Sequence, residues 1–261
     1  MSPQQYGNIN ARLADIERQE EVLVFYACES GSRAWGFASQ DSDYDVRFLY
    51  LHRPEWYLSI DQKGDVIEPP IDGLMDFSGW DIKKALQLLR KSNPPLLEWM
   101  QSPIIYREVH PINALLRAAM GDYYSPQSCL HHYLHMAQGN FREYLQGDVV
   151  WLKKYLYVLR PLLACIWIER GMGMVPTEFG RLVETVVEDS SLHHAIDALL
   201  EQKKGGGELD RGNKVPVISQ FIETELARLK AVHAAPTIAC ELEQLNQIFR
   251  QSLRLAWGQC S

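Results

Sequence analysis

The spacing of hydrophobic residues changes near the start of the chain, and the change predicts a helix followed by strands. Ile9, Leu13 and Ile16 recur every three or four positions, which is the period of a helix with one buried face. Residues 22–27 are β-branched and aromatic, and residues 43–50 alternate between polar and apolar side chains. We therefore expect a helix, a buried strand, a glycine-containing turn and a second strand with one polar face.

The second half of the chain has a different pattern. Beyond about residue 109 strand signals disappear, and leucine and isoleucine repeat at helical spacing, most clearly in residues 151–170. The sequence thus predicts an α+β fold. A small domain with a mixed sheet, residues 1–108, precedes an all-helical domain, residues 109–261.

Composition limits the classes of protein to which this chain can belong. With 261 residues and 46% hydrophobic composition, it is long enough to bury a substantial core. Its formal net charge of −7 argues against a surface that binds nucleic acid non-specifically, although this net charge is compatible with a local basic groove. The five cysteines are scattered without a C-x-x-C pair, which argues against zinc or a disulfide framework. Since no apolar segment is long enough to cross a membrane, we expect a cytoplasmic protein.

Charged residues on the second predicted strand suggest a metal site. Because side chains alternate along a strand, Asp43, Asp45 and Arg47 fall on one face, and the apolar residues between them face the core. Two neighbouring carboxylates repel each other unless a positive charge lies between them. Their hard oxygen atoms suit Mg²⁺ or Mn²⁺ better than zinc. We therefore expect Asp43 and Asp45 to bind a divalent cation.

The turn before this strand suggests a phosphate site. Gly31 allows the backbone to approach a ligand closely, and exposed N–H groups with the Ser32 hydroxyl can hold phosphate oxygens. Either feature alone is typical of an ordinary hairpin with a solvated edge. A phosphate-binding turn and a pair of metal-binding carboxylates together provide what nucleotidyl transfer requires, because that reaction depends on positioning and charge neutralisation.

These motifs resemble those of the DNA polymerase β-type nucleotidyltransferase superfamily, in which a Gly-Ser turn precedes an Asp-x-Asp strand. The longer stretches are similar to one branch, an RNA-repair-pathway polymerase β family: ESGSRAWGF, DSDYDVRF, GWDIKKAL, KSNPPLLEWMQSP and KKYLYVLRPLL. The similarity covers most of the chain up to about residue 170. It implies two metal ions, a third carboxylate on a neighbouring strand, and an NTP substrate.

Three aspartates are candidates for the third carboxylate. Asp81 fits the last position of a helix-capping box that begins at Ser78, and this role explains it without catalysis. Asp72 lies in a Pro-Pro-Ile-Asp-Gly turn, where aspartate is common for local hydrogen-bonding reasons. Asp76 interrupts an apolar stretch and has neither explanation. We therefore predict that Asp76 completes the metal site.

Basic residues are the remaining candidates for nucleotide binding. Arg33 and Arg47 lie close in sequence to the predicted phosphate site, although Arg47 could equally pair with an aspartate on its own face. Lys153 and Arg160 share a predicted helix face with Tyr157, and the resemblance implies basic contacts to the triphosphate from a helical domain. An ordinary solvated face explains them equally well. Glu29 fits a surface charge slightly better than a support for the site.

The sequence therefore predicts a Mg²⁺-dependent nucleotidyltransferase that moves NMP from an NTP to an acceptor hydroxyl. The alternative is a non-catalytic nucleotide- or RNA-binding regulatory protein that retains the fold. RNA ends, tRNA, a small molecule and a protein hydroxyl are all compatible acceptors, and the resemblance alone favours RNA. No pattern in the sequence specifies an oligomeric state.

Overall fold

The computed structural model describes residues 2–205, 211–234 and 241–258, apart from the side chain of His110. The chain divides into two compact units, neither of them continuous in sequence. Unit 1 contains residues 1–31, 43–124 and 238–261, and unit 2 contains residues 32–42 and 125–237. Residues 109–124 and the end of the chain thus belong with unit 1. A domain boundary after residue 108 stays a prediction.

The described strands are β1 (Val22–Glu29), β2 (Tyr44–His52), β3 (Val66–Ile67), β4 (Met75–Asp81), β5 (Ile105–Glu108), β6 (Val149–Trp151) and β7 (Arg211–Asn213). The described helices are α1 (Pro3–Glu20), α2 (Gly31–Ala34), α3 (Pro54–Tyr57), α4 (Ile82–Arg90), α5 (Pro94–Met100), α6 (His110–Tyr123), α7 (Pro126–Tyr144), α8 (Leu152–Glu169), α9 (Phe179–Val186), α10 (Ser190–Lys204), α11 (Pro216–Arg228) and α12 (Leu242–Trp257), with a 3-10 turn at Leu229–Ala231.

Unit 1 is built around a five-stranded sheet in the order β3-β4-β2-β1-β5. β2 and β4 run parallel, whereas β1 is antiparallel to both of its neighbours and β3 is antiparallel to β4. Unit 2 consists mainly of helices, with the short hairpin of β6 and β7 beside them. The predicted α+β class, a mixed sheet and a helical part, is confirmed.

The core of unit 1 confirms both periodicities read from the sequence. Ile9, Leu13 and Ile16 of α1 are buried against the sheet. On β2, Val46 and Phe48 enter the same hydrophobic cluster, while the charged residues between the apolar ones keep some exposure. Alternation over residues 44–48 therefore divides the first half of β2 between the core and the polar face, whereas the strand is buried on both faces from Phe48 onward.

The end of β4 differs from the prediction. Ser78 lies inside β4, and its hydroxyl donates to Glu68 Oε1 over 2.9 Å, so it does not cap a helix. Asp81 is itself the N-cap of α4 and accepts a hydrogen bond from the Lys83 N–H. The capping box was wrong because parallel pairing with β2 continues to Asp81, which extends the strand through residues that have good local capping propensity.

Gly79 is the position in β4 at which a larger residue would disturb the core. It lies opposite Phe48 in the register of β2 and β4, and a Cβ atom there would be 2.1 Å from Phe48 Cε2. Because Phe48 is fully buried, its ring cannot move aside without displacing core neighbours.

We predict that Gly79→Ala lowers the free energy of unfolding by about 1–3 kcal/mol, the usual cost of overpacking. Urea denaturation measures this change. The matched control is Gly121→Ala in α6, where a Cβ would meet nothing within 4 Å and helix propensity favours alanine by up to about 1 kcal/mol. Equal stability of Gly79→Ala and the parent would contradict the packing described for β2 and β4.

Candidate active site

Two carboxylates meet across the parallel pair of strands. Asp45 of β2 lies directly opposite Asp76 of β4 in the strand register. Arg47, two residues along β2, places Nη2 3.0 Å from Asp45 Oδ1 and 2.7 Å from Asp76 Oδ2. All three side chains are partly exposed, by 28% for Asp45, 34% for Asp76 and 17% for Arg47. The positive charge that two such carboxylates require is supplied here by the guanidinium.

The guanidinium of Arg47 is also tied to the backbone. Its Nη1 donates to the carbonyl oxygens of Asp76, at 3.0 Å, and Val46, at 3.3 Å. Of the two alternatives that the sequence left open for Arg47, the ion pair with an aspartate is present, and it involves two aspartates. Nucleotide binding by Arg47 stays a prediction.

Gly31 brings the backbone of the turn against Asp45. Its φ angle is +57°, in the left-handed region, and a Cβ atom there would lie 2.0 Å from Asp45 Oδ2. The N–H of Ser30 donates to the Asp45 carbonyl oxygen over 2.8 Å. Both conformation and space therefore require glycine at this position, the first because φ is positive and the second because the Asp45 carboxylate fills the space of a Cβ atom.

Glu29 supports the same strand from inside the protein, and its interpretation as a surface charge was wrong. It is fully buried at the end of β1. Its Oε1 accepts a 2.8 Å hydrogen bond from the Asp45 N–H, and its Oε2 accepts one from the Tyr106 hydroxyl. The Ser102 hydroxyl donates to its carbonyl oxygen over 2.6 Å. Glu29 thus fixes the backbone from which the Asp45 side chain projects.

The other residues predicted to bind metal or phosphate near the turn differ in exposure and in their contacts. Asp43 is exposed and immediately precedes β2. Ser32 is buried in α2, and its carbonyl oxygen accepts a hydrogen bond from the Phe37 N–H. Arg33 Nη2 donates to the Ser42 carbonyl oxygen over 2.6 Å, which ties together the two ends of the segment 33–42. Their roles toward metal or phosphate stay predictions.

The two basic residues predicted on α8 are in unlike environments. Lys153 is exposed, with its ammonium 5.7 Å from the centre of the Trp151 ring. Arg160 is only 1% exposed, its guanidinium lies 4.6 Å from the Trp35 ring, and its Nη2 donates to the Thr177 carbonyl oxygen. Spacing on the helix placed both on one face without indicating that Arg160 is enclosed. Their contacts to nucleotide stay predictions.

Asp72 and Asp81 were the other candidates for the third carboxylate, and Asp81 is the N-cap of α4 rather than the last residue of the predicted capping box. Asp72 is exposed and pairs through its backbone with Met75. Asp81 lies five positions from Asp76 on β4, so the two side chains point to opposite faces. It is almost fully buried and accepts a 2.7 Å hydrogen bond from the Tyr57 hydroxyl. Of the three candidates, only Asp76 is paired with Asp45.

The donor atoms are suitable for a hard divalent ion, although no complete metal site is assembled. Within residues 2–205, 211–234 and 241–258, no group of three or more His, Cys, Asp or Glu side chains is arranged to hold a metal. Asp45 and Asp76 offer the oxygen ligands that Mg²⁺ prefers, and Arg47 now contacts one oxygen of each. A metal at this pair would compete with the guanidinium.

This chain is similar to known proteins over nearly its whole length. Residues 7–251 match the RlaP family, described as the RNA repair pathway DNA polymerase beta family. An uncharacterized Bacillus subtilis (strain 168) protein, YcgL, is 46% identical over 249 residues, which cover 94% of this chain and 95% of that protein. A nucleotidyltransferase-like protein from Exiguobacterium sibiricum 255-15 aligns with a TM-score of 0.32 and 14% identity, over 97% of this chain and 79% of that one.

Among the helices that the structure describes, none combines the length and the apolar character that a membrane crossing requires.

We predict that Asp81 makes stability depend on pH. Burial raises the pKa of its carboxyl group from 3.8 to about 6, so the folded state binds the proton more tightly than the unfolded state. The contribution of Asp81 to the free energy of unfolding therefore falls as the pH rises from about 4 to 6. Asp81→Asn cannot ionise and still caps α4, and we expect it to gain about 2 kcal/mol relative to the parent across this window.

Urea denaturation of both proteins from acid to neutral pH tests this expectation. Burial lowers the pKa of His52 to about 4, which makes the parent lose stability as the pH falls. The difference between variant and parent removes this opposing contribution, since both proteins retain His52. A difference that stays constant with pH would contradict the assignment to Asp81.

Proposed function

This chain belongs to the RNA repair pathway DNA polymerase beta family, and from that premise we propose that it transfers NMP from an NTP to the hydroxyl of an RNA end. The observation that carries the proposal is the pairing of Asp45 with Asp76 across parallel strands, with the backbone of Gly31 against Asp45. Two carboxylates can bind metal ions, and a turn whose backbone lies against one of them can bind phosphate oxygens nearby. Such an arrangement suits a reaction in which phosphate oxygens and metal ions share one site.

The proposed metal ligands are Asp43, Asp45 and Asp76, with Mg²⁺ or Mn²⁺ as the ion. When bound, the ions would neutralise charge on the transferring phosphoryl group and favour ionisation of the acceptor hydroxyl. Glu29 positions Asp45 through the Asp45 N–H, which limits how far that carboxylate can move. A carboxylate held in this way can exchange one cation for another without rebuilding the strand.

Arg47 has a specific part in this proposal. Its guanidinium forms ion pairs with both Asp45 and Asp76. If Asp45 and Asp76 held a metal ion, Arg47 would be available to bind phosphate oxygens, for which its planar fork is well suited. We assign the other nucleotide contacts to Gly31, Ser32, Arg33, Lys153 and Arg160.

The acceptor and the compartment complete the proposal. The family description supports an RNA acceptor, and the described cysteines, Cys28, Cys129 and Cys165, are buried free thiols, in keeping with the cytoplasm. A regulatory protein that binds nucleotide or RNA without turnover is the alternative. Product formation separates the two functions.

We predict transfer of label from an NTP, radiolabelled at its α-phosphate, into RNA when the protein is incubated with Mg²⁺ and total cellular RNA. Asp45→Asn and Asp76→Asn should each lower the rate by about two orders of magnitude or more, because metal-ion charge stabilisation is worth several kcal/mol. Asp72→Asn is the matched control, since it removes an equal charge from an exposed turn nearby in sequence, and it should retain the parental rate. Equal loss in Asp72→Asn and Asp76→Asn would reject the assigned site, and absence of transfer for every NTP would favour the regulatory alternative.

A second prediction concerns competition between the Arg47 guanidinium and a metal ion for the carboxylates of Asp45 and Asp76. Arg47→Met keeps an apolar stem but leaves Asp45 and Asp76 without the guanidinium, so the metal-free variant should melt at a lower temperature than the parent. Mg²⁺ should restore more stability in the variant than in the parent, because no guanidinium competes. At about a hundred times its Kd, a metal bound only to the folded state contributes about 2.7 kcal/mol.

Thermal melting with EDTA or saturating Mg²⁺ measures both effects. Arg107→Met is the control, because Arg107 is also partly buried in unit 1 and forms an ion pair with Glu17 over 2.6 Å, away from the aspartate pair. It should lose stability without gaining a larger response to Mg²⁺. Equal Mg²⁺ responses in the two variants would contradict metal binding at Asp45 and Asp76.

A further inference from the structure

Cations and aromatic rings alternate along one side of unit 2. Lys153, Lys154 and Tyr157 share a face of α8, since they are spaced by three or four residues from Tyr157. The Lys154 ammonium lies 4.1 Å from the Tyr144 ring centre and 5.0 Å from the Tyr157 ring centre. One cation therefore lies beside two partly exposed rings.

The hairpin of β6 and β7 continues this arrangement. Trp151 pairs with Arg211 in the strand register, and the Arg211 guanidinium is 5.3 Å from the Trp151 ring centre. Lys153 lies 5.7 Å from the same ring, and both cations are exposed. We call these six residues the cation–aromatic face: Tyr144, Trp151, Lys153, Lys154, Tyr157 and Arg211.

A further ring connects this face with the segment that follows the Gly31-Ser32 turn. The Trp35 ring centre lies 5.6 Å from that of Tyr157, edge to face. Arg160 lies 4.6 Å from the Trp35 ring and is itself buried, so it supports Trp35 from within unit 2. The partly exposed rings thus extend from α7 and the hairpin to residue 35.

Positive charge is concentrated on this face, although the whole chain carries a net charge of −7. Burial lowers the pKa of Lys154, and the neighbouring charge of Lys153 lowers it further, against an opposing effect of Glu143. Burial and Lys153 also lower the pKa of Lys203. Lys153 is therefore close enough to both Lys154 and Lys203 to repel them, and a bound anion would relieve that repulsion.

We propose that the cation–aromatic face binds single-stranded RNA, with bases stacked on its rings and phosphates held by its lysines and Arg211. Rings accept any unpaired base, and interleaved cations follow a phosphate backbone, which is how single strands are held without sequence preference. Rings and cations from α7, β6, α8 and β7 suit a strand of several nucleotides better than one free nucleotide. The inference rests on the proposed function only in giving this strand the role of acceptor.

The first test measures binding of an unstructured, fluorescein-labelled RNA of about 12 nucleotides by anisotropy, without metal or NTP. Lys153→Gln combined with Arg211→Gln should weaken binding on the order of tenfold and reduce the slope of log K against log salt by about 1.4, for two lost phosphate contacts. Arg142→Gln combined with Lys230→Gln is the control, since it removes two exposed cations from elsewhere in unit 2. The control should bind as the parent does, and melting curves establish that both variants fold.

A second experiment tests whether RNA bases stack on the aromatic rings. Tyr144→Leu should weaken binding of the RNA but not of an abasic sugar–phosphate strand of the same length, because only the former can stack. Added ATP and inorganic triphosphate should compete only partly with the RNA, because Lys153 is the one residue of the cation–aromatic face that is also assigned to the NTP. Full competition would overturn the inference by assigning the face to a triphosphate, and parental affinity in the lysine–arginine variant would overturn it directly.

Equal loss in the control variant would also overturn the inference, because binding would then depend on overall charge. Failure of the proposed function is distinguishable from all of these results. If RNA binding depends on the cation–aromatic face while no NTP supports transfer, the inference stands and the nucleotidyltransferase assignment falls.

Discussion

The polar side of the sheet depends on one electrostatic constraint, the presence of a cation between Asp45 and Asp76. Parallel pairing of β2 and β4 places these carboxylates opposite each other, where like charges repel unless a positive charge lies between them. Arg47 meets this need from β2 itself and is anchored to the carbonyl oxygens of both strands. Gly31 and Glu29 then fit around Asp45, one by leaving space for its carboxylate and the other by binding its backbone N–H.

Local patterns predicted much of this region, and long-range pairing explains the remainder. Alternation along β2 separated the polar face from the core, and the interruption of an apolar stretch identified Asp76. Ser78 was misassigned because capping propensity is local, whereas the parallel partner that extends β4 lies far away in sequence. Glu29 was misassigned for the same reason. Its burial follows from the central position of β1 between β2 and β5, which no local pattern specifies.

Unit 2 shows a related limit of sequence patterns. Helical spacing correctly grouped Lys153, Tyr157 and Arg160 on α8, but spacing does not indicate which other elements cover a face. Trp35, distant in sequence, lies against Arg160 and Tyr157, so one part of the face is enclosed while Lys153 stays exposed. The sequence did not indicate Lys154 as a binding residue, because the Tyr144 ring that its ammonium contacts lies on another helix.

The position of two aspartates on β4 also constrains how this chain can change in length during evolution. Asp76 faces Arg47, whereas Asp81, on the opposite side of the strand, is buried and caps α4. A one-residue insertion or deletion between them would turn one carboxylate to the wrong face. The exposed segment 60–64 before β3 is under no such restriction, because loops absorb added residues at little cost. Length variation among homologues is thus compatible with that segment and incompatible with the interval from Asp76 to Asp81.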